Sequence, residues 1–442
     1  MMFNPIMTGS LHLLMFIALV YFTYSIVSTP GLLRFSLKAI LGRRHISIIL
    51  GATILVCMMA LTVMGGYFQH SFWGLSESTI RSETGHFQIY QAGYAEHGKQ
   101  EPWKYKLTQY KSLVESLKKD PFLATKIDVI APELNFSGLI SNGDTSATFV
   151  ARAVEPAADR KLSAFGETIT QGQRFSSGDE GVGLIGKGVA TQLAASPGTI
   201  LTLLSNSPND GMAATDLEVK GVTESFSEDY DDVAVKLTLS NAWDMLGTES
   251  VDRVIILLKS SEDLLEVMNY TQDLLSQKGF ILEYRDWKSL ATFYGSVERL
   301  YKNIFTFFST VIMLFALLFI GSVLMIMTTE RTDEIALLRA FGAQPNSILK
   351  GFVNETILLG FVMGAIALAL CLGAVAVFNQ FGIEAPPPPG ASKGYLIKLR
   401  VFETPWFVLH VFEFIVCAVF LSCLFPAYQG CKANIIQALR NG

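Results

Sequence analysis

Between Arg44 and Glu77, and again between Lys302 and Glu330, the chain carries no charged side chain. Each stretch exceeds the about 20 residues that a helix needs to cross the hydrocarbon core of a bilayer. Inside that core every backbone polar group must be satisfied within the segment, so such stretches fold as spanning helices or not at all. Spans are therefore predicted at 46–67 and 303–329. Two more follow at 356–378, opening just after Glu355, and at 406–424, interrupted only by Glu413. Residues 1–33 are also free of charge, and the segment 11–27 reads either as a fifth span with its N-terminus outside or as an interfacial segment. Without basic residues ahead of it, it does not suit a secretory signal.

The remaining charge is concentrated in one place. Of the 73 Asp, Glu, Lys and Arg residues, 54 fall in the 233 residues from 70 to 302, making that region about 23% charged against about 9% in the flanks. A soluble-type domain is thus spliced between lipid-facing blocks, which excludes both a wholly soluble enzyme and a uniform helix bundle. The middle carries 22 basic and 32 acidic residues. Such an acidic balance does not suit nucleic acid, whose phosphates require clustered Lys and Arg.

Orientation follows from the basic residues beside the spans. Arg34, Lys38, Arg43 and Arg44 precede the first span, and Arg331, Arg339 and Lys350 lie between the second and third. The positive-inside rule makes these segments and the tail with Lys432 and Arg440 cytoplasmic. The middle domain and residues 379–404 are then external, although Lys393, Lys398 and Arg400 make the shorter loop more basic than the rule favours.

Within the middle domain, strand-like runs (86–91, 125–134, 147–154, 199–205, 216–225, 233–240, 251–260) alternate with helical patterns at 107–120 and 263–279, predicting a mixed α+β domain in two lobes. From Trp287 through Leu290, Phe293, Val297, Leu300, Ile304 and Phe307 apolar residues recur every three or four positions, predicting one helix from this domain into the membrane. Periodicity alone reads equally as a transmitting rod or a packed stalk.

Motifs for chemistry are sparse. GVGLIGKG, residues 181–188, has the glycine and lysine spacing of a phosphate loop but ends in Gly188 where a hydroxyl should hold magnesium, so a turn between two elements is the better reading. The six histidines are scattered with no HExxH and no clustered ligands, and no nucleophile signature is present. All five cysteines lie in or beside the spans, so the middle domain has neither disulfide nor zinc spacing. His410 and Glu413 share a helix face inside a span, and Glu355 opens another. Intramembrane ionisable groups are functional candidates because they are costly there, although a helix contact explains them as well. The proline run at 385–390 predicts a stiff extended turn, or a rigid lip for a partner. In 328–352, Ile335, Leu337, Leu338 and Phe341 interleave with Glu330, Arg331, Asp333, Glu334 and Arg339 before Gly342 stops the helix. A short charged helix of this kind suits docking into a groove on another protein, or is an inert loop.

ERTDEIALLRAFGA (330–343), followed by ILKGFVNETILLG (348–360), resembles the core of the FtsX-like, MacB-type ABC permease family, including its lipoprotein-release members, whose usual form is close to ERTREIGILRALGA. FPAYQGCKANIIQALR (425–440) resembles that family's terminal segment, with Ile435 where proline is common. LKAILGRRHISIILGATILV (37–56) and TGHFQIYQAGY (84–94) resemble its membrane approach and first external strand. The resemblance implies four core spans, with a candidate fifth at the N-terminus, and a large mixed α+β extracytoplasmic domain between the first and second. It divides the chain into an N-terminal apolar segment 1–30, an amphipathic leading helix and first span 31–67, a periplasmic domain with a helical stalk 68–300, and a permease domain 301–442.

It further implies a type VII transporter subunit without its own nucleotide site, set in the inner membrane and working as a dimer with a second copy or a paralogue. ATP and magnesium belong to a separate pair of cytoplasmic ATPase subunits, coupled by mechanotransmission. Residues 330–342 are the implied coupling helix, with Glu330, Arg331, Glu334, Arg339 and Gly342 on the motif. Pro426, Ala438, Leu439 and Arg440 form a second contact. Membrane lipids and a periplasmic chaperone or adaptor complete the expected partners. Two functions remain: extraction or export of a lipoprotein or other amphiphile, and, alternatively, a signalling scaffold that activates an external cell-wall hydrolase. The roughly 230 residues of the middle domain favour the first.

Overall fold

The structure, a computed structural model, describes residues 9, 12–17, 20, 23–24, 44–98, 100–163, 167–176, 178–207, 211–225, 228–385 and 395–431. By internal contact the chain divides into two units, one of residues 1–72, 297–384 and 396–442, the other of 73–296 and 385–395.

Four helices, α1 (Arg44–Thr79), α6 (Thr292–Thr329), α8 (Pro345–Phe381) and α9 (Pro405–Cys431), contain segments long and apolar enough to cross a membrane. They are the four predicted spans, each longer than its apolar run. α1 continues well past residue 67 because no proline intervenes, and the hydroxyls of Ser71, Ser76, Ser78 and Thr79 are accommodated by donating to carbonyls three or four residues earlier. Whether 11–27 spans lies outside the described residues, as do the leading helix at 31–43 and the proline run at 386–390; residues 12–17 are helical.

Leu50, Ile54, Met58 and Leu61 of α1 pack in one core with Ile320 and Leu324 of α6, Ile357 of α8, and Phe414 and Ile415 of α9. At Gly65 an added Cβ would lie 2.0 Å from the ring of Phe407, so only glycine lets the start of α9 approach α1 this closely. Cys57, Cys371, Cys417 and Cys423 are buried there as free thiols.

In the other unit β1 (Phe87–Gln91), α2 (Tyr110–Lys119), β2 (Ile127–Ser141), β9 (Arg253–Leu258), α5 (Leu264–Gln277) and β10 (Leu282–Asp286) form an antiparallel sheet in the order β10-β1-β9-β2 with two crossing helices. This is the split β-α-β, ferredoxin-like arrangement. Its helices bury one stripe each, Tyr110, Leu113 and Leu117 on α2 and Val267, Thr271 and Leu275 on α5.

Between β2 and β9 the chain inserts β3 (Ser146–Val154), α3 (Pro156–Leu162), β4 (Thr168–Gly172), β5 (Val182–Gly186), β6 (Ile200–Asn206), β7 (Met212–Glu224), β8 (Ala234–Thr238) and α4 (Leu239–Leu246). Pairing runs β2-β3-β8-β5-β7-β6 and returns to β2, closing a six-stranded ring with β4 on the outside of β7. Closure leaves few unpaired strand edges. β2, 15 residues long, pairs with β9 along its first half and with β6 along its last residues, so it is the seam of the two lobes.

Two expectations are corrected. The strand read over 233–240 ends at Thr238, whose hydroxyl accepts from the Asn241 N–H and starts α4, with Leu239, Ala242 and Leu246 buried at helical spacing. The helix read as continuous from Trp287 breaks at Ala291 (φ −88°, ψ 72°) and resumes as α6. The break follows from anchoring: Trp287 is buried with Ile80 and Val129, and Tyr294 folds back edge-on to its ring with centroids 4.7 Å apart.

Candidate functional site

The motif residues of 330–343 occupy α7 (Thr332–Ala340) and its flanks. α7 buries Ile335 and Ala336 and exposes Leu337 and Leu338, with Phe341 beside them 82% exposed. Glu330, Glu334 and Gly342 are exposed and Arg339 is half-buried, so an apolar ridge is set among charges. The helix ends because Gly342 adopts φ +90°, where a side chain would be strained, and Pro345 then opens α8.

Arg331 departs from the expected surface contact. It is buried and folded back onto Glu355 of α8, with Nη2 donating to Oε1 at 2.8 Å and Nη1 to Oε2 at 2.5 Å. Glu355, also buried, therefore has a bidentate partner, the strongest form of carboxylate pairing. Pro426 is likewise buried, inside α9, rather than presented at a surface. Ala438, Leu439 and Arg440 lie outside the described residues.

His410 and Glu413 share a face of α9 and are brought to His12, a residue the spacing gave no reason to join to them. His12 Nδ1 lies 3.2 Å and 3.1 Å from the two Glu413 oxygens, and its ring stands edge-on to that of His410 with centroids 5.0 Å apart. The expectation of no clustered ligands is thus overturned: one ligand atom from each of the three residues lies within 4.8 Å of the others.

GVGLIGKG does not form a phosphate loop. Residues Val182–Gly186 are strand β5, and Lys187 pairs with Glu224 at 2.8 Å. A phosphate cradle needs an open loop of backbone N–H groups there, which strand pairing consumes.

The interior of the mixed unit holds charges that strand patterning concealed. Glu133 on β2 accepts from Arg152 of β3 at 2.9 Å and from Arg253 of β9. Burial would raise its pKa, but the two guanidiniums outweigh that and hold it at about 2. Lys236 of β8 donates to Asp159 of α3 and to Ser163, both at 3.0 Å, and to Glu167. Lys106 pairs with Asp252, whose other oxygen accepts from the Asn135 N–H. His86, also buried, accepts the Leu258 N–H on Nδ1 at 3.0 Å and donates through Nε2 to Ser261 at 2.9 Å, and burial pushes its pKa down to about 4. Each of these side chains has a partner within the fold, and only the Nε–H groups of Arg152 and Arg253 lack an acceptor among the described residues, which marks the set as structural.

Residues 306–435 match the family described as FtsX-like permease C-terminal. The matched part holds α7 and the Arg331–Glu355 pair, and the match agrees with the motif resemblance. No curated protein matches the chain. Among solved structures, the chain is similar to the extracellular domain of the noncanonic ABC-type transporter YknZ from Gram-positive bacteria, at 14% identity over 45% of this chain and 97% of that one with a TM-score of 0.34. It is also similar to the periplasmic region of MacB from Actinobacillus actinomycetemcomitans, at 12% identity over 48% and 94% with a TM-score of 0.37.

Proposed function

We propose that the chain is the permease subunit of an ATP-driven ABC transporter, which couples hydrolysis by a separate cytoplasmic ATPase pair to movement of its mixed α+β unit outside the inner membrane. The observation that carries the reading is α7, a short helix between two spans whose ridge of Leu337, Leu338 and Phe341 faces outward among Glu334 and Arg339. An apolar ridge with a charged rim is what a groove on another protein recognises. Arg331 acts behind that surface as a positioning residue: its bidentate bond to Glu355 would carry a displacement of α7 into α8.

The partner ATPase supplies the nucleotide and its magnesium, and a second permease copy or a paralogue completes the pair. A mixed unit of more than 200 residues supports a lipoprotein or another amphiphile as cargo. Co-purification with the ATPase tests the docking. Phe341→Ser combined with Glu334→Lys should weaken the complex at least about tenfold, as loss of a buried aromatic anchor does. Complexes of unchanged stability would remove α7 as the dock. Depletion should leave lipoproteins mislocalised; normal localisation with blocked cell separation would favour a hydrolase-activating scaffold.

A further inference from the structure

We propose that His12, His410 and Glu413 form a site for a zinc-class divalent transition metal, which pins the N-terminal segment to the last span. His410 and Glu413 lie about 8 to 12 Å along α9 from its start, three residues apart and therefore on one face. The Nδ1–H of His410 donates to the Trp406 carbonyl. That bond fixes the tautomer with its lone pair on Nε2, and a backbone acceptor on the other nitrogen is the usual way a metal-binding imidazole is oriented.

Glu413 supplies the anionic donor. Its side chain is only 9% exposed; His12 Nδ1 bonds Oε1 at 3.2 Å, and the buried Oε2, 3.1 Å from the same nitrogen, has no hydrogen bond of its own among the described residues. A carboxylate sunk in apolar surroundings requires a compensating charge. A single imidazole would satisfy it as a simple pair, yet two rings converge on it.

Two imidazoles and one carboxylate are the donor set of three-ligand zinc sites, in which a fourth position is left to water; calcium and magnesium prefer oxygen alone. Ligand bonds of about 2.0 to 2.2 Å place donors about 3.3 Å apart around a tetrahedral ion. His12 Nδ1 already stands 3.1 Å and 3.2 Å from the Glu413 oxygens, and the whole set lies within 4.8 Å. Leu14 and Met15, just after His12, pack on the membrane-unit core and hold the first ligand in reach.

The test uses the full chain purified in detergent. After exposure to zinc and passage through a weak chelator, the wild-type chain should retain about one zinc per chain, the count set by one His, His, Glu site. Cobalt in place of zinc should give the visible bands of a tetrahedral nitrogen and oxygen site. Competition with a chromophoric chelator should show His12→Ala and Glu413→Gln each weakening zinc by about 100-fold or more, since even outer residues of such sites are worth 10- to 100-fold. Thermal unfolding of each variant with and without zinc separates ligand loss from misfolding: zinc should raise the unfolding temperature of the wild type and leave that of either variant unmoved, whatever its zinc-free value. A wild-type chain that retains no zinc, or variants that bind it as the wild type does, would overturn the site.

Discussion

Arg331 and Glu355 illustrate how a buried charge constrains its surroundings. Each is desolvated, and the other compensates it with two charge-assisted hydrogen bonds. Arg331→Met alone should therefore cost about 3 to 5 kcal/mol, because it takes the bidentate countercharge from the buried Glu355, while adding Glu355→Leu should recover most of the loss. Thermal unfolding of the full chain in detergent reads both; equal losses in the single and double variants would refute the pairing argument. His86 makes a pH-dependent prediction of definite sign. Its folded pKa of about 4 lies below the ordinary 6.5, so the unfolded chain binds the proton more readily. Stability from this residue is complete above pH 6.5 and declines as pH falls towards 4, by a total of about 3 kcal/mol. His86→Asn, which keeps an acceptor for the Leu258 N–H but cannot titrate, should flatten the difference in unfolding temperature between pH 7 and pH 5. A slope unchanged in the variant would assign the pH dependence elsewhere.

Among the elements, α6 has the most direct bearing on transmission, since its 38 residues run without interruption from Thr292 to Thr329 and end just before α7. Two glycines inserted after Glu298 should lower its helical stability by about 2 kcal/mol, roughly 1 for each. ATP hydrolysis by a co-purified ATPase should then persist while lipoprotein release fails. Release at the normal rate would mean that a continuous α6 is not needed. The four spans and most strands were legible because charge-free runs and alternation are local signals. The break at Ala291 was not, because it depends on the distant Ile80 and Val129 around Trp287. The start of α4 was hidden because Leu239 and Ser240 continue the run of Val233, Val235 and Thr238, where only Thr238 as a cap marked the change. His12 lay beyond any spacing rule: 398 residues separate it from His410. Arg331 carried the charge of a surface motif, and only the approach of α8 turned it inward.

At the scale of the whole molecule, the uneven charge noted between Arg44 and Glu330 corresponds to two units of different construction, one a helical core and the other a split β-α-β sheet sharing β2 with a closed ring. The proposed function requires the mixed α+β unit and α7 to face different compartments, and single cysteines can test this. The background is favourable, because Cys57, Cys371, Cys417 and Cys423 are buried and react poorly with a membrane-impermeant maleimide. With Cys431 replaced by serine, Lys278→Cys on the exposed end of α5 should label in intact cells, and Phe341→Cys only after the membrane is opened. The one candidate span between the two positions, α6, fixes the result as a pair: exchanging the two patterns would invert the orientation, and labelling of both from outside would show that α6 does not cross. Because α7 could then no longer reach a cytoplasmic ATPase, either outcome would remove the coupling reading while leaving the fold intact.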